Sequence, residues 1–316
     1  MMDIKNKIII TGASGWIGKN VLDQILNLSY FDKFNQNIIA FGSKDGYLDF
    51  YPSNSNRKLK VPIYSLSNIN KFINSEDKLL IIHCAFLLKN KLNSLNIKKY
   101  ISVNREIISL IKIALKKSAF SKIVLMSSGV VERQATECFS KSLFDDPYQY
   151  LKHEEEKTYK MFANQILILR VFALTGKFMN NPNTFAFGNF LNQAIKEKRI
   201  KLESNKTVIR GYAFASDIGF LALSWLLCND CEPFSLINCV SDEISLELLA
   251  DQITAIYNLQ KPIKKIDLTK SEDTYSACSQ TFIEKMKFYG RDTTPFKTQI
   301  IESFEYLKKT HNQNPQ

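Results

Sequence analysis

A chain of 316 residues with 45% hydrophobic and 23% charged residues has the composition of an ordinary globular protein and can bury a large core. The formal net charge of +11 comes from dispersed lysines, so the surface is expected to attract anionic metabolites and not nucleic acid. The longest apolar run, Ile218 to Cys228, is too short to cross a bilayer, and neither a membrane association nor a targeting segment is expected. The six cysteines have irregular spacing, which excludes a disulfide framework, favours no metal site and suggests a cytoplasmic location.

A glycine-rich turn lies between the first predicted strand and the first predicted helix. Lys7 to Thr11 is a β-branched run typical of a strand buried on both faces, and apolar residues at helical spacing begin at Ile17. Glycines between them permit a tight turn and close approach of the backbone to a pyrophosphate group. The spacing is GxxGxxG, and such turns also serve packing alone. The candidate dinucleotide-binding residues are Thr11, Gly12, Ser14, Gly15, Trp16, Ile17 and Gly18.

The end of the second predicted strand bears on the choice of cofactor. Asn37 to Gly42 is an apolar run, and an NAD site usually has an acid just after such a strand to hold the ribose 2′-hydroxyl. Here Ser43 and Lys44 follow, and Asp45 comes only after them. A hydroxyl and an ammonium group suit the 2′-phosphate of NADP, while an exposed polar loop explains the same residues equally well.

Strands and helices alternate through the first half of the chain. Further buried strands are predicted at Leu79 to Ala85, Lys122 to Met126 and Gln165 to Phe172, and a helix at Ile101 to Leu115. A strand at Leu59 to Leu66 would be interrupted by Pro62, which cannot donate a backbone hydrogen bond. This rhythm predicts an α/β fold with a doubly wound parallel sheet of Rossmann type, which binds ligands beyond the C-terminal ends of its strands. Residues 46 to 58 are predicted to be irregular.

A change of composition after Gly176 predicts two interleaved regions. Residues 1–175 are assigned to a dinucleotide-binding Rossmann domain, with 210–240 returning to it, and residues 176–309 mainly to a smaller substrate-binding region. Residues 310–316 are predicted to be a disordered tail. The elements predicted in the second half are a strand and apolar helix over Ile209 to Cys228, a strand over Phe234 to Val240, and helices over Ser245 to Tyr257 and Ile300 to Lys309.

A tyrosine and a lysine are placed together at the start of another predicted helix. Asp146 and Pro147 are typical of an N-cap and first helical position, and Gln149 could complete a capping box. Tyr148 and Lys152 then lie on one face, four residues apart. A phenol beside an ammonium group, near a helix N-terminus, favours the phenolate and a pKa below the ordinary value of about 10. An ordinary exposed helix start is the alternative.

Taken in order, these motifs resemble the extended short-chain dehydrogenase/reductases, specifically the NAD-dependent epimerase/dehydratase family acting on sugar nucleotides. The resemblance covers nearly the whole chain. The matching segments are Thr11 to Gly18, Ile82 to Ala85, Ser102 to Asn104, Ser127 to Val131, Tyr148 to Lys152, Glu156, Leu169 to Arg170, and Arg210 to Asp217.

The resemblance implies a catalytic triad of Ser128, Tyr148 and Lys152. Tyr148 would exchange a proton with a sugar hydroxyl while a hydride moves to or from the nicotinamide, Ser128 would bind the same oxygen, and Lys152 would hold the nicotinamide ribose. It also implies a homodimer, cofactor contacts at Ala85 and Asn104, and an Arg210 that grips the diphosphate of a nucleotide-linked sugar. A salt bridge from Arg210 to Asp217 is an equally weighted structural alternative.

Departures from the family pattern narrow the predicted reaction. Gly129 and Val130 occupy the place of the Asp-Glu pair of dehydratases, which removes the usual acid and base for eliminating water. The sequence therefore favours a 4-ketoreductase that uses NADPH and makes a deoxysugar nucleotide. A 4-epimerase with tightly bound NAD is the runner-up, and a catalytically silent nucleotide-binding regulator is a further alternative.

Overall fold

A computed structural model of the chain describes residues 6–27, 38–53, 58–132, 142–267 and 269–313. These residues fall into two compact units, each with its own sheet structure. The first unit runs to Arg170 and includes Gly219–Ile237, and the second comprises Val171–Ile218 and the chain from Asn238 onwards. The cofactor-binding and substrate-binding roles expected of the two parts of the sequence stay predictions.

The first unit is built on an eight-stranded sheet. From one edge to the other its strands are β11 (Phe234–Cys239), β7 (Gln165–Val171), β6 (Phe120–Ser128), β5 (Lys78–His83), β1 (Asn6–Thr11), β2 (Ile38–Gly42), β4 (Leu59–Ser65) and β3 (Gly46–Phe50). β1 pairs in parallel with β5 on one side and β2 on the other, and β5–β6 and β2–β4 are parallel as well. The predicted Rossmann-type α/β fold is confirmed.

Helices and apolar strands enclose the core of this sheet. The α-helices are α1 (Trp16–Leu26), α2 (Ile97–Lys117) and α3 (Pro147–Phe162), with 3₁₀ turns at Leu66–Lys71 and Lys89–Asn93. Ile9 on β1 is fully buried in one core cluster with Ile81 of β5, Ile111 of α2 and Tyr159 of α3. A strand covered on both faces needs apolar side chains at successive positions, which is why the run in β1 is continuous.

The crossover at β1 positions the candidate site. β1 lies between β5 and β2. The chain first extends the sheet on one side of β1, through β2 to β4, and then on the other side, starting with β5. Thr11 at the end of β1 is paired with His83 at the end of β5. Ligands of doubly wound sheets bind at such a switch point, outside the carboxyl ends of the strands.

The second unit contains two small sheets and several helices. Its strands are β8 (Ala173–Thr175), β9 (Arg199–Lys201), β10 (Val208–Phe214), β12 (Asp242–Ser245), β13 (Gln260–Ile263) and β14 (Asp273–Tyr275). Its helices are α4 (Ala186–Lys196), α6 (Leu246–Tyr257), α7 (Gln280–Phe288) and α8 (Phe296–Gln313), and α5 (Ala215–Leu227) carries the chain back to the first unit. β10 is the central strand, pairing with β12, β14 and β8. Ser245 caps α6, because its hydroxyl accepts a hydrogen bond from the Leu248 amide.

Two local predictions are wrong, and some elements of the second unit were left unassigned from the sequence. Gly46–Phe50, expected to be irregular, forms edge strand β3, which pairs antiparallel with β4, and the Pro62 that made β4 doubtful lies opposite Tyr47 in that pairing. The helix α4 was not predicted. The last helix runs on to Gln313, so four residues of the predicted disordered tail are helical, while residues 314–316 lie outside the described part of the chain.

The described helices include none that is both long and apolar enough to cross a membrane.

Candidate active site

The turn between β1 and α1 is so tight that it requires glycine. Gly12 has a φ of +63°, and a Cβ atom there would lie 2.7 Å from the backbone carbonyl carbon of Cys84. A Cβ atom at Gly18 would lie 2.3 Å from the Gly12 carbonyl oxygen, a contact that real Cβ atoms do not make. The Gly15 amide also donates a 2.9 Å hydrogen bond to the Gly12 carbonyl oxygen. Glycine is therefore required here because the turn packs closely against its own backbone and against the segment after β5.

This turn fits the pyrophosphate of a dinucleotide. Gly15 is the N-cap of α1 and provides no capping side chain, so the helix start can receive an anion through its amides and its dipole. Trp16, Ile17 and Gly18 form the first turn of this helix, and no acidic residue lies in that turn. A nicotinamide dinucleotide bound here would supply the hydride chemistry, and the contacts predicted for Ser14 to Gly18 with its phosphates stay predictions.

Exposed polar residues follow β2. Ser43 and Lys44 are exposed, so the 2′-phosphate of a bound cofactor could reach both side chains. The Asp45 carboxylate instead accepts a 2.7 Å hydrogen bond from the Ser65 amide at the end of β4. The Ser14 hydroxyl oxygen lies 3.9 Å from where a Cβ atom on Gly42 would be, so the glycine loop and the end of β2 are neighbours.

The segment after β5 is fixed by two buried polar side chains. The Thr11 hydroxyl oxygen accepts hydrogen bonds from the Cys84 and Ala85 amides, at 3.2 and 3.3 Å. The Asn104 amide oxygen accepts a 2.8 Å hydrogen bond from the Leu87 amide. Asn104 thus stabilises the loop after β5, which places Ala85 beside the glycine turn.

The start of α3 is capped as predicted, but the capping box is wrong. The Asp146 carboxylate accepts a 3.1 Å hydrogen bond from the Gln149 amide, and Pro147 occupies the first helical turn. The Gln149 side chain does not return to the N-cap. Its amide nitrogen donates a 2.7 Å hydrogen bond to the carbonyl oxygen of Val130, and this contact fixes α3 to the segment that follows β6.

Tyr148 lies beside Ser128, the last residue of β6. Burial raises the pKa of Tyr148 to about 12; a hydrogen bond with Ser128 acts in the opposite direction, and the carboxylates of Glu155 and Asp146 raise the pKa further. The expected depression of this pKa is therefore not found for the chain by itself. Tyr148 is a protonated phenol, able to donate a proton.

Lys152 is buried, and its charge is already compensated. Its ammonium group donates to the Met126 carbonyl oxygen at 2.9 Å and to the Glu155 carboxylate at 2.8 Å, and it lies 3.9 Å from the centre of the Phe86 ring. The same ring makes an edge contact with Tyr148, with 5.9 Å between the ring centroids. Because Glu155 neutralises Lys152, the ammonium group does little to favour the phenolate.

The neighbouring serine belongs to a different cluster. The Ser127 hydroxyl donates a 2.5 Å hydrogen bond to the Glu156 carboxylate, which also accepts two hydrogen bonds from the Arg170 guanidinium group, at 2.8 and 3.0 Å. Arg170 pairs with Glu132 as well. This cluster fixes the ends of β6 and β7, and it leaves Ser128 as the serine that contacts Tyr148.

Arg210 lies on β10 in the second unit. Its guanidinium group donates to the carbonyl oxygens of Ile209 and Asp273, both at 2.8 Å, and to the Asp273 carboxylate at 3.2 Å. The predicted alternative of a salt bridge to Asp217 is wrong, because the Asp217 carboxylate pairs with Arg291 and accepts hydrogen bonds from Thr294.

Three residues of the site were missed from the sequence: Phe86, Glu155 and His83. Glu155 lies three residues after Lys152, a spacing that places both on one helix face, and this signal was available. The contact with His83 joins residues 72 positions apart and had no sequence signal. Among the described residues, no group of three or more histidine, cysteine or acidic side chains is arranged to hold a metal ion.

Solved structures with similar folds include several sugar-nucleotide enzymes. A UDP-N-acetylglucosamine 4-epimerase from Methanobrevibacter ruminantium M1 is 15% identical, with a TM-score of 0.69 over 96% of this chain and 98% of that one. TunA, an NAD-dependent NDP-hexosamine 5,6-dehydratase, is 14% identical, with a TM-score of 0.69 over 96% and 97%. A UDP-glucose 4-epimerase from Thermus thermophilus, in complex with NAD, is 12% identical, with a TM-score of 0.65 over 96% and 99%.

At these identities the likeness concerns the fold. No curated protein sequence matches the chain. A family model does match: the one described as the NAD dependent epimerase/dehydratase family covers residues 8–230, more than half of the chain. The resemblance inferred from the motifs is confirmed, and the chain belongs to the NAD dependent epimerase/dehydratase family.

Proposed function

We propose that this protein is an NAD(P)-dependent oxidoreductase of nucleotide-linked sugars, with Ser128, Tyr148 and Lys152 as its catalytic residues. The observation that carries the proposal is the contact of Tyr148 with Ser128 at the end of β6, with Lys152 on the same helix face and the glycine turn at the end of β1. A phenol and a hydroxyl that share one hydrogen bond can both bind the oxygen of a reacting carbon.

Each residue has a distinct role in this proposal. Tyr148 transfers a proton to or from the sugar oxygen, Ser128 donates a hydrogen bond to that oxygen, and Lys152 binds the nicotinamide ribose. A bound cofactor would supply or accept the hydride. The positively charged ring of the oxidised cofactor would favour the phenolate when Tyr148 acts as a base.

A 4-ketoreductase is the finer proposal. A reductase needs a proton for the oxygen of the reduced carbonyl group, and the phenol of Tyr148 beside Ser128 can supply it. Gly129 and Val130, which follow Ser128, provide no acid for eliminating water. The competing proposal is a 4-epimerase with tightly bound NAD, supported by the presence of 4-epimerases among the structures of similar fold.

The reaction assay should separate these two activities. The purified protein is incubated with a panel of 4-keto nucleotide sugars plus NADPH or NADH, and with the corresponding hydroxyl sugars without added cofactor. A reductase consumes reduced cofactor in proportion to product, whereas an epimerase interconverts two hydroxyl sugars with no net consumption. Absence of both activities, with cofactor binding intact, would favour a nucleotide-binding regulator instead.

Cofactor choice is tested at Lys44. If its ammonium group binds a 2′-phosphate, Lys44→Asp replaces an attraction by a repulsion and should shift the preference from NADPH towards NADH by about 2 kcal/mol or more. Lys60→Asp, at an exposed position on β4, is the matched control. Unchanged preference in a folded Lys44→Asp variant would mean that the 2′-phosphate is held elsewhere or that the cofactor is NAD.

Arg210 is proposed to bind the substrate diphosphate. A guanidinium group can hold a phosphate by two parallel hydrogen bonds, and that of Arg210 keeps a quarter of its side chain exposed (26%) while Asp273 orients it. Arg210→Met should therefore raise the substrate KM and leave cofactor affinity unchanged, whereas Arg199→Met, on the exposed end of β9, should change neither. An unaltered KM would mean that Arg210 only links β10 to β14 and does not bind the substrate.

A further inference from the structure

A continuous chain of buried hydrogen bonds joins Lys152 to the glycine turn. The Lys152 ammonium group donates to one oxygen of the Glu155 carboxylate at 2.8 Å, and the other oxygen lies 3.0 Å from His83 Nε2. The second ring nitrogen of His83, Nδ1, lies 2.6 Å from the hydroxyl oxygen of Thr11. Tyr159 completes the cluster, with its hydroxyl 3.3 Å from His83 Nε2. All these side chains are almost completely buried.

One protonation pattern gives a consistent set of donors and acceptors from Lys152 to Thr11. A charged carboxylate only accepts hydrogen bonds, so His83 carries its proton on Nε2 and donates it to Glu155. The Nδ1 atom then accepts a hydrogen bond from the Thr11 hydroxyl, whose oxygen accepts hydrogen bonds from the Cys84 and Ala85 amides. The single positive charge of Lys152 is balanced by the single negative charge of Glu155.

Because Lys152 and Glu155 are buried, each depends on the other for a counter-charge. Lys152 and Glu155 are 3% and 0% exposed, so water cannot replace a partner that is lost. Burial by itself raises the pKa of the Glu155 carboxyl group. The neighbouring Lys152 and His83 outweigh burial and hold this pKa below its ordinary value. Besides Glu155, Lys152 contacts a backbone carbonyl oxygen and an aromatic ring, neither of which provides a counter-charge. The carboxylate therefore fixes where the ammonium group lies.

We propose that Glu155, held by His83, is a positioning residue that sets the place of the Lys152 ammonium group and couples it to Thr11 at the start of the glycine turn. The inference rests on the proposed role of Lys152 in binding the nicotinamide ribose. Glu155 contacts neither Tyr148 nor the glycine turn directly and acts through Lys152 and His83. Cofactor affinity then depends on a carboxylate that does not itself touch the cofactor.

The test measures the affinity for NADPH and NADH of the full chain freed of cofactor, by the fluorescence of the reduced nicotinamide. Glu155→Gln keeps the shape of the side chain and removes its charge, so cofactor binding should weaken by about tenfold or more, as expected when a hydrogen bond to a charged group is lost. Glu155→Asp keeps the charge and should bind with intermediate affinity. Glu154→Gln is the matched control, because Glu154 lies one residue away and pairs with Arg105 on the surface.

A double-mutant cycle shows whether Glu155 acts through Lys152. Lys152→Met alone should weaken cofactor binding, and adding Glu155→Gln to Lys152→Met should weaken it no further. Additive effects, or Glu155→Gln affinity equal to that of Glu154→Gln, would overturn the inference. If Lys152→Met weakens binding and Glu155→Gln does not, the inference fails while the proposed function stands. If Lys152→Met has no effect, the role proposed for Lys152 fails and the inference fails with it.

Folding is checked by thermal unfolding of each variant. Should Glu155→Gln not fold, because it leaves the Lys152 charge buried without a counter-charge, Glu155→Asp is compared with Glu154→Asp instead. The shorter carboxylate cannot reach both Lys152 and His83, so it should reduce cofactor affinity severalfold relative to Glu154→Asp. Equal affinities of these two variants would overturn the inference.

Discussion

The two faces of α3 carry similar charged side chains, which are buried on the inward face and in contact with solvent on the outward face. The inward face carries Lys152, Glu155 and Glu156, each almost completely buried and bound to a named partner. On the outward face, the Glu154 carboxylate pairs with Arg105 at 3.0 Å, and both side chains are exposed to solvent. Water and salt weaken an exposed ion pair, which contributes little to stability, whereas a buried charge without its partner is expensive. Identical chemical groups therefore differ in whether they can be replaced.

The same contrast holds for the tyrosines of this helix. Tyr148 is hydrogen-bonded to Ser128 and has a raised pKa, while Tyr150, two residues further on, is exposed. A helix turns through more than half a circle in two residues, so these neighbours point in different directions. The comparison predicts which of two chemically identical side chains carries the reaction.

The largest effect is expected for Tyr148→Phe. This change removes one oxygen and keeps the ring against Phe86, so turnover should fall by about 10²–10⁴-fold, the contribution of positioned proton transfer, while cofactor still binds. Turnover is measured with the substrate and cofactor found in the panel assay. Tyr150→Phe is the control and should retain near-native turnover. The reverse result would place the active site on the other face of α3.

A large loss of stability is expected for Arg170→Met. It leaves the buried Glu156 carboxylate without a counter-charge, which should lower the free energy of unfolding by about 3–5 kcal/mol. Arg105→Met breaks the exposed pair with Glu154 and should cost less than about 1 kcal/mol. Urea titration followed by circular dichroism measures both. Equal losses would mean that burial does not separate these two pairs.

These contrasts also explain how much the sequence could predict. Local signals were sufficient for the glycine turn, for the Asp146 cap and for the sheet, because each depends on neighbouring residues or on hydrophobic periodicity. The Gln149 capping box was wrong because a carbonyl oxygen 19 residues earlier in the chain competes for the same side chain. The pKa of Tyr148 was expected to be lowered; the main cause of the error is the burial of the phenol, which raises the pKa, and the omitted charge of Glu155 raises it further. The spacing of Tyr148 and Lys152 concerns only two residues. It cannot reveal the third charge, Glu155, which His83 at the end of β5 holds in place.

The stability of the folded chain should depend on pH through Tyr148. Burial raises the pKa of Tyr148 from 10.0 to about 12, so the folded state keeps a proton that the unfolded state has released. The stabilisation is complete below the unfolded pKa and is lost as pH rises towards the folded pKa. The unfolding free energies of the wild type and Tyr148→Phe should therefore converge by about 1.3 kcal/mol between about pH 9 and about pH 11, roughly half of the effect of two pKa units at about 1.36 kcal/mol each.

Urea titrations at the two pH values measure this convergence. A difference between the wild type and Tyr148→Phe that does not change with pH would contradict the raised pKa.

The smallest effect concerns the outward faces of α2 and α3, where we propose that a second copy of the chain binds. The two helices pack against each other, and Met161 and Ile113 expose 74% and 46% of their surface. Exposed apolar side chains on adjacent helices are typical of an interface. Met161→Glu would place a charge against its own symmetry mate and should weaken dimerisation by about tenfold, the effect of about 1.4 kcal/mol.

Light scattering over a range of micromolar concentrations measures this equilibrium. Leu248→Glu is the matched control, since Leu248 is 47% exposed on α6 in the other unit and should leave the assembly unchanged. Since the inward face of α3 remains intact in Met161→Glu, cofactor affinity should be retained when the dimer dissociates. Loss of cofactor affinity in the monomeric variant would show that the two faces are not independent, and a wild-type chain that is monomeric throughout would remove the proposed interface altogether.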